Sequence, residues 1–227
     1  MIDNPWVGLP AIPPFVLPED LKSVARFNES AKDETRIHVD LLPEPFIGRL
    51  DAPIVLLSLN PGYSEGDSEC HRDPLFRRLS LDNLRQRPME HPFFLISPDI
   101  QAPGRRWWEK KLAGLLRLAP RDVVARRLLC VEYFGYHSRR FAHAGLSLPS
   151  QDFAFQLVRD AVRRRAIIVL MRSRKLWFSK VTELAEYTRL IELGNVQNPT
   201  VSPGNCRGRF DEIASALLDD DRAAGGS

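Results

Sequence analysis

A chain of 227 residues with 44% hydrophobic and 27% charged side chains has the composition of an ordinary globular protein, long enough for one well-buried core. Its longest apolar runs, such as Ile54 to Leu57 and Ile167 to Met171, fall far short of the roughly 20 residues that cross a bilayer as a helix. The formal net charge is only +3, yet residues 101–180 carry 18 Lys or Arg against five acids, which leaves the remainder of the chain at −10.

Arginine supplies 26 of the 32 basic residues, and a guanidinium is the better bidentate partner for phosphate oxygens. That bias favours a polyanionic partner, although an arginine-rich solvated face gives the same pattern. Cys70, Cys130 and Cys206 form no CxxC pair, and the five histidines form no HExxH helix face, so neither a metal nor another cofactor is expected. An early acid, no basic n-region and prolines breaking any apolar stretch argue against a secretory signal and for a cytoplasmic, reducing home.

In chain order, Pro5, Pro10, Pro13, Pro14 and Pro18 make residues 1–18 a proline-rich arm rather than a helix or central strand. A helix is expected from Glu19 to Lys32, with Pro18 at its start and Leu21, Val24 and Ala25 on one face. Four strands are expected: Pro53 to Leu59, Arg127 to Phe134, Ala166 to Arg172, and Arg189 to Leu193 extended to Val196. The first and third are near-continuous Ile, Val and Leu, as in strands covered on both faces. Helical patterns from Arg106 to Leu118 and from Asp152 to Arg165 separate them, and a last helix is expected over Arg209 to Leu218. The alternation predicts an α/β three-layer α/β/α sandwich around a four-stranded parallel sheet, one domain over 19–218, followed by a frayed tail over 219–227. In such folds ligands sit at the carboxyl ends of the strands.

The first strand runs into Asn60-Pro61-Gly62-Tyr63. Taken alone, Asn-Pro-Gly is a chain-reversing turn. Near the C-terminus the fourth strand runs into Asn198-Pro199-Thr200-Val201-Ser202-Pro203-Gly204-Asn205. Together the two segments resemble the signature loops of the uracil-DNA glycosylase superfamily, closest to its mismatch-specific thymine/uracil branch, which read Gly-Ile-Asn-Pro-Gly and Asn-Pro-Ser-Gly-Leu-Ser. Between them, Leu128 to Tyr133 leading into Phe134-Gly135-Tyr136-His137-Ser138 resembles the superfamily's base-reading strand. Ile167 to Phe178 resembles the strand and helix before the second loop. The resemblance covers roughly Ile54 to Phe210. It departs from the pattern at Ser58-Leu59 in the first loop and at Thr200 to Pro203 in the second.

The resemblance implies a monofunctional DNA base glycosylase of base excision repair, acting on uracil or a related damaged or mismatched base flipped out of the stack. Its partner is single- or double-stranded DNA, with no membrane and no cofactor. Asn60 would hold the attacking water through its side-chain carbonyl, with Pro61, Gly62 and Tyr63 lining the pocket. Because an amide is a weak base, slow turnover is expected. Neither signature loop carries a lysine for a Schiff base, so no lyase step is expected. His137, at the end of the second strand, is the nearest substitute for the second-loop histidine of other branches; a loop histidine without a ligand role is the competing reading. Glu132 is either a base-edge acceptor that prefers an amine or a paired acid in the sheet.

Phe93 or Phe94 would stack on the base, and Tyr136 would flank it. Trp107 and Trp108 are either core anchors or part of a nucleic-acid surface. Thr200, Ser202, Gly204 and Asn205, helped by the start of the last helix, would grip phosphates, with Val201 as the wedge and Asn198, Pro199, Arg105, Arg106 and Arg172 as further DNA contacts. Two rival readings are a non-catalytic nucleic-acid binder that keeps the fold, and a nucleotide-binding α/β domain whose Asn60 loop cradles a phosphate.

Overall fold

A computed structural model describes residues 3–219 of the chain. Its elements in order are α1 (Pro18–Ser30), β1 (Phe46–Gly48), β2 (Ile54–Ser58), α2 (Asp67–Cys70), α3 (Pro74–Leu84), α4 (Pro103–Lys111), α5 (Ala113–Leu116), α6 (Arg121–Arg127), β3 (Leu128–Glu132), α7 (Gln151–Arg163), β4 (Ile167–Leu170), α8 (Arg174–Lys180), β5 (Leu190–Glu192) and α9 (Phe210–Leu218). Short 3-10 turns cover Pro5–Gly8, Phe94–Ile96 and Thr182–Ala185.

The strands form one sheet in the order β1-β3-β2-β4-β5. β3, β2, β4 and β5 are mutually parallel, with Val55 opposite Leu129 and Ile168. The expectation of a four-stranded parallel sheet is corrected by β1, which pairs antiparallel with the β3 edge through Phe46↔Val131 and Gly48↔Leu129. Three residues hemmed by Pro43 and Pro45 are too few to show a two-residue period in sequence. Gly48 sits at φ +109°, and a Cβ there would lie 2.1 Å from the Leu128 carbonyl oxygen, so only glycine permits this edge pairing.

All residues of β2, β3 and β4 are buried, because alternate residues face two separate cores. Val55, Leu57, Leu129, Val131, Ile168 and Leu170 pack against α1, α7 and α8. Ile54, Leu56, Leu128, Cys130, Ile167 and Val169 pack against α4, α5, α6 and α9. The protein is therefore α/β, with a five-stranded mixed sheet covered by helices on both faces.

Proline at the first turn starts α1, α3 and α4. Asp73 caps α3 by accepting from the Phe76 amide at 2.8 Å. The helix expected over 106–118 starts earlier, at Pro103, and breaks at Leu112 into α4 and α5. The proline-rich arm is irregular as expected, but Trp6, Phe15, Val16 and Leu17 are buried in the core beside α1 and α7. It is packed lining, not a free arm. The tail expected at 219–227 falls outside the described residues beyond Asp219. No helix among the described residues is long and apolar enough to cross a membrane.

Candidate active site

A cavity of about 450 Å³ opens at the carboxyl ends of β2, β3 and β4, where parallel strands leave their ligand crevice. Ser58 to Ser64 form one wall, Glu132, His137 and Ser138 a second, and Arg172 a third. Two segments unsuspected from sequence help close it, Glu44 ahead of β1 and Asp67 with His71 at α2, together with Trp107 and Trp108 on α4.

Asn60 follows β2 directly. Its side-chain amide donates to the Pro61 carbonyl at 2.8 Å and to Ser138 Oγ at 3.0 Å. Both amide hydrogens are thereby used, and Oδ1 is left as an acceptor on the cavity wall. Ser138 Oγ also bonds His143 Nε2 at 3.1 Å. His143 packs among Phe27, Phe134 and Phe141, and burial lowers its pKa to about 4. The Asn60 amide, the Ser138 hydroxyl and a neutral His143 imidazole thus form one hydrogen-bonded chain. Neither Ser138 nor His143 carried a chemical role in the sequence reading; the His-Ser pair at 137–138 was visible, its link to Asn60 was not.

His137 is buried in the cavity wall, its Nδ1 2.7 Å from the Gly62 carbonyl and its Nε2 3.1 Å from that of Leu42. Burial lowers its pKa, opposed by those two carbonyls and by Asp67. It therefore clamps the first loop to the 41–44 segment rather than reaching freely for a ligand. His71 accepts the Leu42 amide proton on Nδ1 at 3.1 Å, and burial lowers its pKa to about 2. Glu44, His71 and His137 bring possible ligand atoms within 4.8 Å of one another. As hydrogen-bonded, however, His71 spends its Nδ1 lone pair on an amide and His137 faces carbonyls from both nitrogens. The cluster reads as a hydrogen-bonded clamp, not as a formed metal centre.

Three carboxyl residues line this cavity: Glu44, Asp67 and Glu132. Glu132 is 4% exposed; its Oε1 takes a weak contact from the Cys130 thiol at 3.7 Å, the Ser58 side chain lies beside the carboxyl, and Oε2 is buried with no partner within hydrogen-bond geometry. Burial raises its pKa to about 7, moderated by Ser58, Cys130 and Arg172. The paired-acid alternative is thus corrected: Glu132 lies on the cavity wall with an oxygen unsatisfied. Glu44 has its pKa raised to about 8 by burial, then by the charges of Asp67 and Glu132. Arg172 reaches the Gln197 carbonyl at 3.4 Å while its Nε is buried without a partner.

Several expected contacts fall elsewhere. Phe93 and Phe94 are fully buried against Trp108 and Phe76, and neither lines the cavity. Tyr136 is turned into the opposite core, where its hydroxyl donates to Asp20 at 2.7 Å and accepts from the Leu17 amide. Rings on the cavity wall are instead Tyr63, Phe76, Trp107, Trp108 and Phe141. Tyr63 stacks on His38 at 3.7 Å.

None of 198–205 lines the cavity. Val201 is 0% exposed, its amide bonded to the Lys111 carbonyl at 2.8 Å, so it is a core anchor and not a wedge. Asn205 stitches the loop by accepting from the Asn195 amide at 2.6 Å and donating to the Thr200 carbonyl at 2.9 Å. Asn198 accepts from Lys111 Nζ at 2.5 Å, and Thr200 donates to Asn198. Pro199 is buried, while Ser202 and Gly204 reach solvent. The start of α9 already carries Asp211 and Glu212 in its first turn, with Arg209 bonded to Glu212, and so offers little to an anion. Arg105 is occupied by Glu109 and the carbonyls of Pro98 and Ile100; Arg106 is exposed.

Comparison of the chain with known protein families, curated proteins and solved structures finds no match.

Proposed function

We propose that the protein is a DNA base glycosylase that hydrolyses the N-glycosidic bond of a damaged or mismatched base flipped into the cavity. The observation that carries this reading is Asn60. It stands at the end of a central parallel strand with both amide hydrogens bonded, so that its carbonyl oxygen can hold a water at the cavity wall. A cavity of about 450 Å³ walled by aromatic rings suits a heterocycle. N-glycoside cleavage proceeds through an oxocarbenium-like sugar, for which an oriented water and stabilisation of developing charge are the main requirements. The four parallel strands, with the Asn60 loop after the first of them, are in keeping with a glycosylase-like fold to which β1 adds an edge.

DNA would approach the rim formed by Arg139, Arg172 and the 194–198 loop. In that loop Val196 is 52% exposed, and the loop is held rigid because Asn195 accepts from the Gln197 and Asn198 amides. A rigid loop presenting one apolar side chain suits insertion between base steps, so the wedge passes from Val201 to Val196.

The test is single-turnover cleavage of modified duplexes and single strands by wild type and Asn60→Ala, developed by alkali at abasic sites. Cleavage that Asn60→Ala abolishes supports the reading. Intact, salt-sensitive DNA binding with no product across the panel selects a non-catalytic binder instead.

A further inference from the structure

We propose that the cavity takes a positively charged, N-alkylated base in preference to a neutral lactam such as uracil. The inference rests on reading the cavity as a base pocket and names the class of base.

Its first support is the placement of two acids. Glu132 Oε2 is buried without a partner, and Glu44 lines the same cavity. A buried acceptor left open is costly, and a ligand's N–H would recover that cost. Arg172 balances Glu132, but the charges that reach Glu44 are those of Asp67 and Glu132. A uracil edge offers one N–H between two carbonyl oxygens, whereas an alkylated amino-purine turns positive charge and its amino N–H groups toward these carboxyls.

The second support is the lining. Phe76, Trp108 and Phe141 line the space with no cation over them among the described residues, and aromatic rings attract a desolvated cation.

The chemistry agrees. Water attacks C1′, the C1′–N bond breaks, and its electron pair passes to the base nitrogen, cancelling the positive charge; the base leaves neutral and one proton is released. Such a departure needs no acid and no anion-stabilising cation, and the weak Asn60 amide suffices to place the water. Uracil would leave as an anion, repelled by Glu132 and Glu44 wherever they are ionised.

Isothermal titration with 1-methyladenosine, adenosine and uridine tests the ligand class on wild type, Glu132→Gln and Glu44→Gln, both near-isosteric. Wild type should bind the methylated nucleoside at least tenfold more tightly than the other two. Its affinity should rise about fivefold between pH 6 and pH 7.5 as Glu132, facing Ser58, Cys130, Arg172 and Glu44, ionises. Each Gln variant should shrink the preference. Equal or tighter uridine binding, no binding of any nucleoside, or a preference untouched by both variants overturns the proposal. Release from oligonucleotides separates the two readings. Excision of uracil ahead of a methylated base sinks this inference and keeps the glycosylase, while cation-selective binding with no excision does the reverse.

Discussion

The Asn60 amide nitrogen lies 3.0 Å from Ser138 Oγ, and this contact joins the loop after β2 to the loop after β3. With the Pro61 carbonyl as its other acceptor, the amide cannot turn over without losing two hydrogen bonds. Ser138 is therefore a positioning residue for the proposed water site, and Ser138→Ala should slow single-turnover cleavage about tenfold while DNA affinity stays within twofold. Equal rates for variant and wild type would remove Ser138 from the mechanism.

Stability should fall as pH rises from about 6.5 to 8. Glu44 and Glu132 have folded pKa values raised to about 8 and about 7, so their contribution is complete below the unfolded value and is lost as pH climbs through the folded one. His71 and His143, lowered to about 2 and about 4, act oppositely; their contribution is present above the unfolded value of 6.5 and is lost as pH falls. Between about pH 4.5 and 6.5 the two pairs offset each other. Above that only the acids act, at up to about 1.4 kcal/mol per pH unit for each proton retained by the folded state. Urea unfolding of Glu44→Gln should show a flatter profile over this range, and an unchanged slope would show that Glu44 ionises normally in the fold.

Val196→Ala should reduce cleavage of paired duplex more than cleavage of single strands, by about threefold to tenfold, because a wedge acts on stacked, paired bases. Val201→Ala, by contrast, should lower the melting temperature through a buried cavity. Equal losses on both substrates for Val196→Ala would assign the wedge elsewhere.

Gly114→Ala should destabilise the protein by about 1–3 kcal/mol. A Cβ at Gly114 would lie 2.5 Å from the Val201 carbonyl oxygen, so the second loop would have to withdraw from α5. Thermal unfolding measures this directly, and an unchanged midpoint would mean that the loop shifts at no cost.

The central strands were legible because Ile54 to Leu57 and Ile167 to Leu170 are continuous apolar runs, a pattern forced by burial on both faces. Asn60 was legible for a related reason: a strand ending in Asn-Pro-Gly places that asparagine at the carboxyl edge, where parallel sheets open. Glu44 was not legible as a cavity acid. A lone carboxyl within Leu41 to Ile47 gives no direction, and its role depends on Asp67 and His71 arriving from one other segment and Glu132 from a second.

Tyr136 and Val201 show the same limit from the other side. Each sits in a motif that the sequence assigns to the site, yet one side chain points to Asp20 and the other into the core. Local pattern determined the α/β alternation, the four parallel strands and the loop carrying Asn60, since periodicity and turn chemistry act over a few residues. Tertiary packing alone decided the antiparallel edge, which rings line the cavity, and the meeting of Glu44 with Glu132. Those features depend on residues far apart in sequence coming together, and on burial that exists only once both faces of the sheet are covered.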